Sequence, residues 1–554
     1  MSARLKKDSL YFLPLGGVNE IGMNLNLYGY NDQWLMVDLG TSFADDAMPG
    51  VDMIVPDVTW IADRRDQLLG LVLTHAHEDH LGAISHCWDE LQCPVWATGF
   101  AASVLRRKLA EKGMVDDVPL HIYQPGDLIE LGPFRIRSMN ITHSTPESQA
   151  LAIETPQGTV LHTGDWKLDP RPMLGPQTEV EALRGYGDRG VLALVCDSTN
   201  VFSRGSSGSE GEVHDSLIPL LRDKPGRIAV TTFSSNLARL ETLFTVANEL
   251  GRHICLIGRS LHRFLAAAQE NGYLKHIPNQ VDDREAGFLP REKIMYICTG
   301  CQGEPRGAMA RIAFGSHPHA VVSPGDTVVF SSKIIPGNER TLFKLHNELV
   351  SRGIEVITEK DAFVHVSGHP SRDELAEMYA LVRPQIAVPV HGEPRHLVEH
   401  ARFAQSLQVP HGIVPRNGDL IRLAPGAPDV VEQVPAGRLA IDGDELIPIQ
   451  GGTLQVRRKL AFNGAAAVTL VVDERGSLRA PPQVLLAGVV NYDIEDIEAE
   501  IADEIADALV LLKSAARDDA ALEQAALRAM RGYLRGLTGR KPVCQVQIVR
   551  LPQG

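Results

Sequence analysis

Nowhere does the chain carry the roughly 18 consecutive apolar residues that a membrane span requires. Its opening stretch, Met1-Ser2-Ala3-Arg4-Leu5-Lys6-Lys7-Asp8, has no apolar signal core behind its positive charges. A cytoplasmic location with no membrane partner is therefore expected. The seven cysteines are scattered and odd in number, which excludes a disulfide framework. The single CxxC, Cys298 to Cys301, lacks a second pair. Zinc or redox use is open to it, but the apolar Ile294-Met295-Tyr296-Ile297 before it reads as a strand ending in a glycine-rich turn. No internal repeat is present. Positive charge is also in deficit, with a formal net charge of −15. That argues against a generic nucleic-acid binder, whose affinity comes from neutralising phosphates. A nucleic-acid enzyme stays compatible with it, since a small basic groove or bound divalent cations can coexist with an acidic exterior.

What is present is ordinary in bulk and unusual in one place. A length of 554 residues, 44 % hydrophobic and 22 % charged, suits a soluble globular protein of three or four domains. The unusual place is His75-Ala76-His77-Glu78-Asp79-His80, which follows the apolar run Leu71-Val72-Leu73-Thr74. This is the pattern of a buried strand ending in a ligand-loaded loop, and neutral imidazole and carboxylate are donors that zinc and its neighbours accept. His75 and His77, two apart in extended backbone, point to one side. Asp79 and His80 open a helical pattern from Leu81 to Leu91 and point elsewhere. One short segment can thus serve two adjacent metal ions.

Up to about Val201, apolar runs alternate with helical patterns, and several end in a polar residue: Asp38, His75, Asp165, Asp197. In layered α/β folds such strand ends are where scaffold meets ligand. A Ser/Gly stretch from Ser203 to Ser209 then opens a second α/β unit of parallel strands joined by helices, running to about Val356. Ligand-type strand ends return afterwards at His365 to His369 and at His391, so the second unit reads as an insertion into the first. Pro, Gly and Asp enrichment from about Pro425 to Gly452 reads as a linker. The expected division is 1–208 and 357–440 for the split first domain, 209–356 for the insertion, 441–460 for the linker and 461–554 for a small α+β C-terminal domain. In that last domain, a strand ending at Val472, an acidic amphipathic helix from Asp493 to Leu512, a basic segment with Arg528, Arg531, Arg535 and Arg540, and a final strand from Val543 to Leu551 are expected.

A dinuclear site needs more ligands than the His75–His80 segment supplies, and His143, Asp165 and His391 follow other strands. Taken in order, Asp38, His75-x-His77-x-Asp79-His80, His143, Asp165 and His391 resemble the successive motifs of the metallo-β-lactamase fold. Asp197, His369 and His391 resemble the three characteristic positions of its β-CASP subgroup, whose members cut nucleic acids. Val18-Asn-Glu-Ile-Gly-Met-Asn24, Cys196-Asp-Ser-Thr-Asn200, Thr299-Gly-Cys-Gln-Gly-Glu-Pro305, Ile335-Pro-Gly-Asn-Glu339 and His365-Val-Ser-Gly-His369 are similar to those of the ribonuclease J family. The resemblance covers essentially the whole chain. It implies a four-layer αββα core with an inserted β-CASP domain.

The resemblance also implies roles. One metal would be held by His75, His77, His143 and Asp165, and a second by Asp79, His80, Asp165 and His391, with a water or hydroxide between them as nucleophile. Zinc is favoured by the histidines, while manganese or magnesium would also be accepted. Two divalent ions against two aspartates and a hydroxide leave a local charge of about +1, which suits an anionic substrate. His369 would donate to a phosphate oxygen or protonate the leaving 3′-oxygen, and Asp197 would orient it or act as the acid. Asp38 would fix a ligand histidine or its loop. His365, Val366, Ser367 and Gly368, with Ser234, Ser235 and Asn236, would form a pocket for a 5′-monophosphate. Residues 234–236 read equally well as a helix N-cap. The expected substrate is single-stranded RNA with a 5′-monophosphate, degraded 5′→3′ with internal cleavage also open to the enzyme, in rRNA maturation and mRNA decay. Homodimers or homotetramers through the C-terminal domain, and RNA-degradation or ribosome-associated partner proteins, are implied as well. A small-molecule hydrolase of the same fold, a DNA-directed β-CASP nuclease, and a scaffold of an RNA-processing assembly are the competing readings.

Overall fold

The computed structural model describes residues 6–45, 47–275, 277, 279–490, 494–513 and 517–552. The chain divides into two compact units, residues 1–42 with 55–438, and residues 43–54 with 439–554.

Two sheets build the core of the first unit. One has eight strands in the order Asp429–Gln433, Asp419–Ala424, Leu10–Gly16, Leu25–Tyr30, Gln33–Val37, Leu68–Val72, Val95–Ala97, Leu120–Ile122. The other has seven: His411–Gly412, Ile386–Val390, Ala193–Asp197, Gly158–His162, Gln149–Thr155, Phe134–Asn140, Leu128–Leu131. Period-two alternation in Gln149–Thr155 decides how they stack. Leu151 and Ile153 enter a core with Phe12, Leu35, Val37 and Val72 of the first sheet. Ala150 and Ala152 face the opposite way, into a core with Leu183, Leu375, Met378 and Tyr379. Those last residues come from helices Val180–Arg189 and Arg372–Val382. Buried faces on both sides of a sheet give the αββα layering.

The insertion is visible in the register. Ala193–Asp197 and Ile386–Val390 are neighbouring parallel strands, with Asp197 opposite Val390, although almost 190 residues separate them in sequence. Between them the chain forms a five-stranded all-parallel sheet, ordered His253–Ile257, Ile294–Cys298, Ile228–Thr231, Thr327–Phe330, Glu355–Ile357. Cys298 ends its strand as expected, and both Cys298 and Cys301 are free and buried, their thiols pushed up by burial.

The second unit corrects one expectation. The segment 441–460, read as a linker, contains strands Arg438–Asp442 and Glu445–Pro448 and most of helix Gly452–Asn463. The strands pair into a sheet with Met53–Pro56 and Ser42–Phe43, so their Pro, Gly and Asp residues mark tight turns rather than slack chain. Arg528, Arg531 and Arg535 lie on helix Asp519–Thr538. The neighbouring helix Ile494–Val510 buries Ile497, Ile501, Ile505 and Leu509, a four-residue spacing that makes one apolar stripe. Both helices pack on a three-stranded sheet whose central strand Ala465–Val472 buries every second residue. Asp493 lies outside the described residues.

Candidate metal centre and its surroundings

Strand ends from both sheets converge on one site. After Leu68–Val72 the chain bends at Thr74 and Ala76 and reaches His77, whose extended backbone occupies the N-cap position of the short helix Glu78–Leu81. His75 and His77 therefore leave the loop between strand and helix, while Asp79 and His80 leave the first helical turn. His143 follows Phe134–Asn140, Asp197 ends Ala193–Asp197, and His391 follows Ile386–Val390. Asp165 follows Gly158–His162 through Gly164 at φ +58, where a Cβ would also crowd Thr74. His391 and Asp38 hold left-handed backbone without being glycine, at φ 53 and 62, a cost that persists where the surroundings over-determine it.

The seven residues fall into two groups that share Asp165. In the first, His77 Nδ1 lies 3.1 Å from both His75 Nε2 and His143 Nε2, and Asp165 Oδ2 lies 3.9 Å from each of those Nε2 atoms. In the second, His80 Nε2 is 3.2 Å from Asp165 Oδ2 and 3.6 Å from Asp79 Oδ2, and His391 Nε2 is 3.2 Å from Asp79 Oδ2. Donors held about 2.1 Å from one tetrahedral ion stand about 3.4 Å apart, so both groups have the spacing of co-ligands. Asp165, Asp197, His369 and His391 make a third cluster. There, however, His369 Nδ1 is 2.7 Å from Asp197 Oδ2, which is the length of a charge-assisted hydrogen bond.

Neighbours fix which imidazole nitrogen is free. His143 Nδ1 donates to the Gly368 carbonyl at 2.6 Å, leaving Nε2 for the centre. His80 Nδ1 donates to Asp38 Oδ2 at 2.7 Å, and Asp38 also accepts from the Thr74 amide and hydroxyl at 2.8 Å each. Such outer partners orient a ligand histidine and raise its basicity. Burial holds His75 and His143 well below the usual imidazole range and His77 at about 4, so their lone pairs are available. Burial also opposes charge on His80 and His391, but Asp165 with Asp79 and Asp38, or with Asp197 and Asp79, outweighs it and holds both imidazoles protonated. Burial likewise disfavours ionised Asp79, Asp165 and Asp197, yet facing histidines keep all three well below the carboxylate range. Carboxylates that recruit protons onto neighbouring imidazoles will exchange those protons for a divalent cation.

His369 and Asp197 sit at the edge of this centre. Burial works against charge on His369, but Asp197 and Asp165 raise its proton affinity above the usual value. The segment His365–His369 runs past them, with Ser367 Oγ accepting from Asn200 Nδ2 at 2.7 Å. His365 is held well below the imidazole range by burial and by Arg239, Lys167 and Lys333, so it is neutral in a basic setting, and Val366 is buried beside it. Asn236 caps helix Leu237–Glu249, its side chain accepting from the Arg239 amide at 2.9 Å. Ser234 and Ser235 form the turn before that cap. Several contributors escaped the sequence reading: Asn24, 3.0 Å from His80 Nε2; Ser144, 3.3 Å from His77 Nε2; and Thr199, 3.2 Å from His391 Nδ1. Asn24, Thr199 and Asn200 stood inside quoted motifs, which was the available signal. Ser144 adjoins His143 and carried none.

Comparison with known proteins agrees along the chain. Residues 24–230 match the metallo-beta-lactamase superfamily, 225–349 the Ribonuclease J beta-CASP domain, 353–412 the Zn-dependent metallo-hydrolase RNA specificity domain, and 452–551 the Ribonuclease J C-terminal domain. Ribonuclease J of Sinorhizobium meliloti is 42 % identical over 98 % of both chains. That of Synechocystis is 37 % identical over 88 % of this chain and 77 % of its own, and that of Thermus thermophilus 33 % over 97 % and 94 %. A crystal structure of an Enterococcus faecalis protein of unknown function shares the fold at a TM-score of 0.53 and 16 % identity, over 75 % of this chain and all of that one. The chain belongs to the ribonuclease J family of metal-dependent ribonucleases, and its buried histidine–aspartate cluster has the donors to hold divalent metal.

Proposed function

We propose that this ribonuclease removes nucleotides 5′→3′ from 5′-monophosphorylated single-stranded RNA and also cuts internally, in rRNA maturation and mRNA decay. The observation that carries the reading is the pair of four-residue ligand groups sharing Asp165, with His369 and Asp197 beside them. His75, His77, His143 and Asp165 would hold one ion, and Asp79, His80, Asp165 and His391 the other. Zinc suits five imidazoles, with manganese or magnesium acceptable to the carboxylates. When bound, such a pair acidifies water to near neutrality and offsets charge on the phosphoryl oxygens. The chain's own residues do the rest. Asp38 and Gly368 engage Nδ1 of His80 and His143 and so aim Nε2 of each ring at the centre. His369, protonated against Asp197, would give a proton to the leaving 3′-oxygen, a role its raised proton affinity supports. Ser367, Gly368 and His365 offer a hydroxyl, backbone and imidazole to a 5′-phosphate, with Ser234, Ser235 and the Asn236 turn facing the same task. Residues 461–554 would carry homodimer or homotetramer contacts, and RNA-degradation or ribosome-associated proteins would be partners in the cytoplasm.

End-labelled RNA provides the test. Incubation of 5′-labelled, 5′-monophosphorylated RNA with metal-loaded protein should release labelled mononucleotide, and a 5′-hydroxyl RNA should resist. Preferential cleavage of matched single-stranded DNA, or of neither polymer, would refute the reading.

A further inference from the structure

We propose that Asn200 is a positioning residue that sets the proton donor His369 and the 5′-end contact Ser367 with a single side-chain amide. The inference deepens the functional reading above and rests on it.

A tight turn begins at the end of strand Ala193–Asp197. Asp197 Oδ1 accepts from the Thr199 amide at 2.8 Å and from its hydroxyl at 2.7 Å. That is the local bond by which an aspartate folds the chain two residues on into a turn. The turn closes further with Ser203 N donating to Asn200 O at 2.8 Å. Asn200 is thereby delivered, 8 % exposed, to the segment His365–His369. Its Nδ2 donates to Ser367 Oγ at 2.7 Å and to the His369 carbonyl at 3.1 Å. Meanwhile Asp197 Oδ2 holds the ring of the same His369 at 2.7 Å.

His369 is therefore gripped twice from one turn, by its ring through Asp197 and by its backbone through Asn200. The bonds close into a loop: Asp197 to the His369 ring, His369 carbonyl to Asn200, and the turn back to Asp197. The segment between is pinned as well. Ser367 Oγ accepts from the His369 amide at 3.2 Å, and the Gly368 carbonyl accepts from His143 Nδ1. At Gly368 an added Cβ would stand 2.7 Å from the His143 ring, so the segment lies flat against a ligand histidine and has little room to shift. Removing the Asn200 amide frees its other end. Ser367 then loses the shorter of its two donors, keeping the His369 amide, and the His369 carbonyl loses its tie to the turn. A proton donor displaced by an ångström loses most of its value.

The test uses the full-length, metal-loaded protein with Asn200→Ala, and with Asn200→Asp as a shape-preserving variant that also lacks both donors. Four quantities are read: metal content per chain, affinity for 5′-UMP against uridine, kcat/KM on 5′-phosphate RNA, and kcat/KM on the same RNA with a 5′-hydroxyl. Metal content should stay at the wild-type value. Affinity for UMP should fall about tenfold, as expected for hydrogen bonds to a charged group, while uridine affinity moves little. Activity should fall on both RNAs, but about tenfold further on the phosphorylated one. Equal losses on the two RNAs, an unchanged UMP-to-uridine ratio, lost metal, or failure of both variants to fold would assign Asn200 to structure alone and overturn the proposal. A wild-type protein that is itself indifferent to the 5′-phosphate would instead sink the functional reading, and the inference with it.

Discussion

Replacing Asp38 by Asn removes one charge and leaves the backbone undisturbed, since Asn tolerates the left-handed φ of 62 at that position. Asp38 is fully buried and accepts three hydrogen bonds, from Thr74 N, Thr74 Oγ1 and His80 Nδ1. An amide has one acceptor oxygen, so it can keep the Thr74 amide on the Oδ1 side. The NH2 group then faces His80 Nδ1 as a donor. To accept it, His80 must carry its proton on Nε2, the nitrogen 3.2 Å from Asp165 that would ligate the proposed second metal. Loss of an outer carboxylate partner of this kind costs about 10- to 100-fold in metal affinity. The three imidazoles of the first group do not touch Asp38, and their affinity should hold. Stepwise metal titration of D38N against a competing chelator should show one wild-type site and one weakened by that factor. Cleavage should be lost at stoichiometric metal and partly recovered at excess. Two sites of wild-type affinity in D38N would refute the tautomer argument.

Three further outcomes are expected. Substituting His77 by Ala removes the imidazole central to the first group and should abolish RNA cleavage while circular dichroism shows intact folding; an undiminished rate in nuclease-free protein contradicts the two-group centre. His400, fully buried between Ser198 Oγ and Tyr379 OH at 2.8 and 2.9 Å, has its pKa lowered by burial to about 4. The unfolded chain then binds the extra proton from about pH 6.5 down to about 4, so this group's stability contribution is full above 6.5 and is lost as pH falls through that window, by about 2 kcal/mol at pH 5. Urea unfolding at pH 7 and pH 5 should show a smaller difference in His400→Gln than in wild type, and equal differences would contradict a neutral His400. Ile501→Ala empties the middle of the apolar stripe of helix Ile494–Val510, and should destabilise the C-terminal unit by about 2–5 kcal/mol, read as an earlier unfolding transition with cleavage of short RNA retained.

Legibility in the sequence followed the range of the forces involved. Strands such as Gln149–Thr155 and Ile386–Val390 were readable because local apolar periodicity decides them. The residues that cluster at the candidate centre were readable because each stands next to such a strand, and strand ends are where the fold places function. Segment 441–460 was misread because Pro, Gly and Asp signal turns without saying whether the turns join paired strands. Its strands find partners in Met53–Pro56 and Ser42–Phe43, far back in the chain, and nothing local announces a pairing across nearly 400 residues. The Asn200 contacts were hidden for the same reason. Ser367 and His369 are remote in sequence, and only the parallel pairing that puts Asp197 opposite Val390 brings the two segments into reach.

Charge gives the sharpest case of a bulk property misleading about a site. A net charge of −15 opposes a polyanionic substrate only over distances that salt does not screen, and the Debye length is about 8 Å at physiological ionic strength. The residues at the centre are nearly all buried, with His75, His80, Asp165 and His391 at 1–2 % exposure, where screening is weak. There the balance is set by local counting. Asp79, Asp165 and Asp197 are ionised, and His80, His391 and His369 carry protons in response. With the Asp38 charge that faces His80 counted as well, the metal-free centre carries about one net negative charge, and two divalent ions displacing the protons on His80 and His391 would leave it positive. The acidic exterior and the anion-seeking centre are therefore compatible. The attraction for RNA switches on with metal loading, so salt should weaken substrate capture far less than metal removal does.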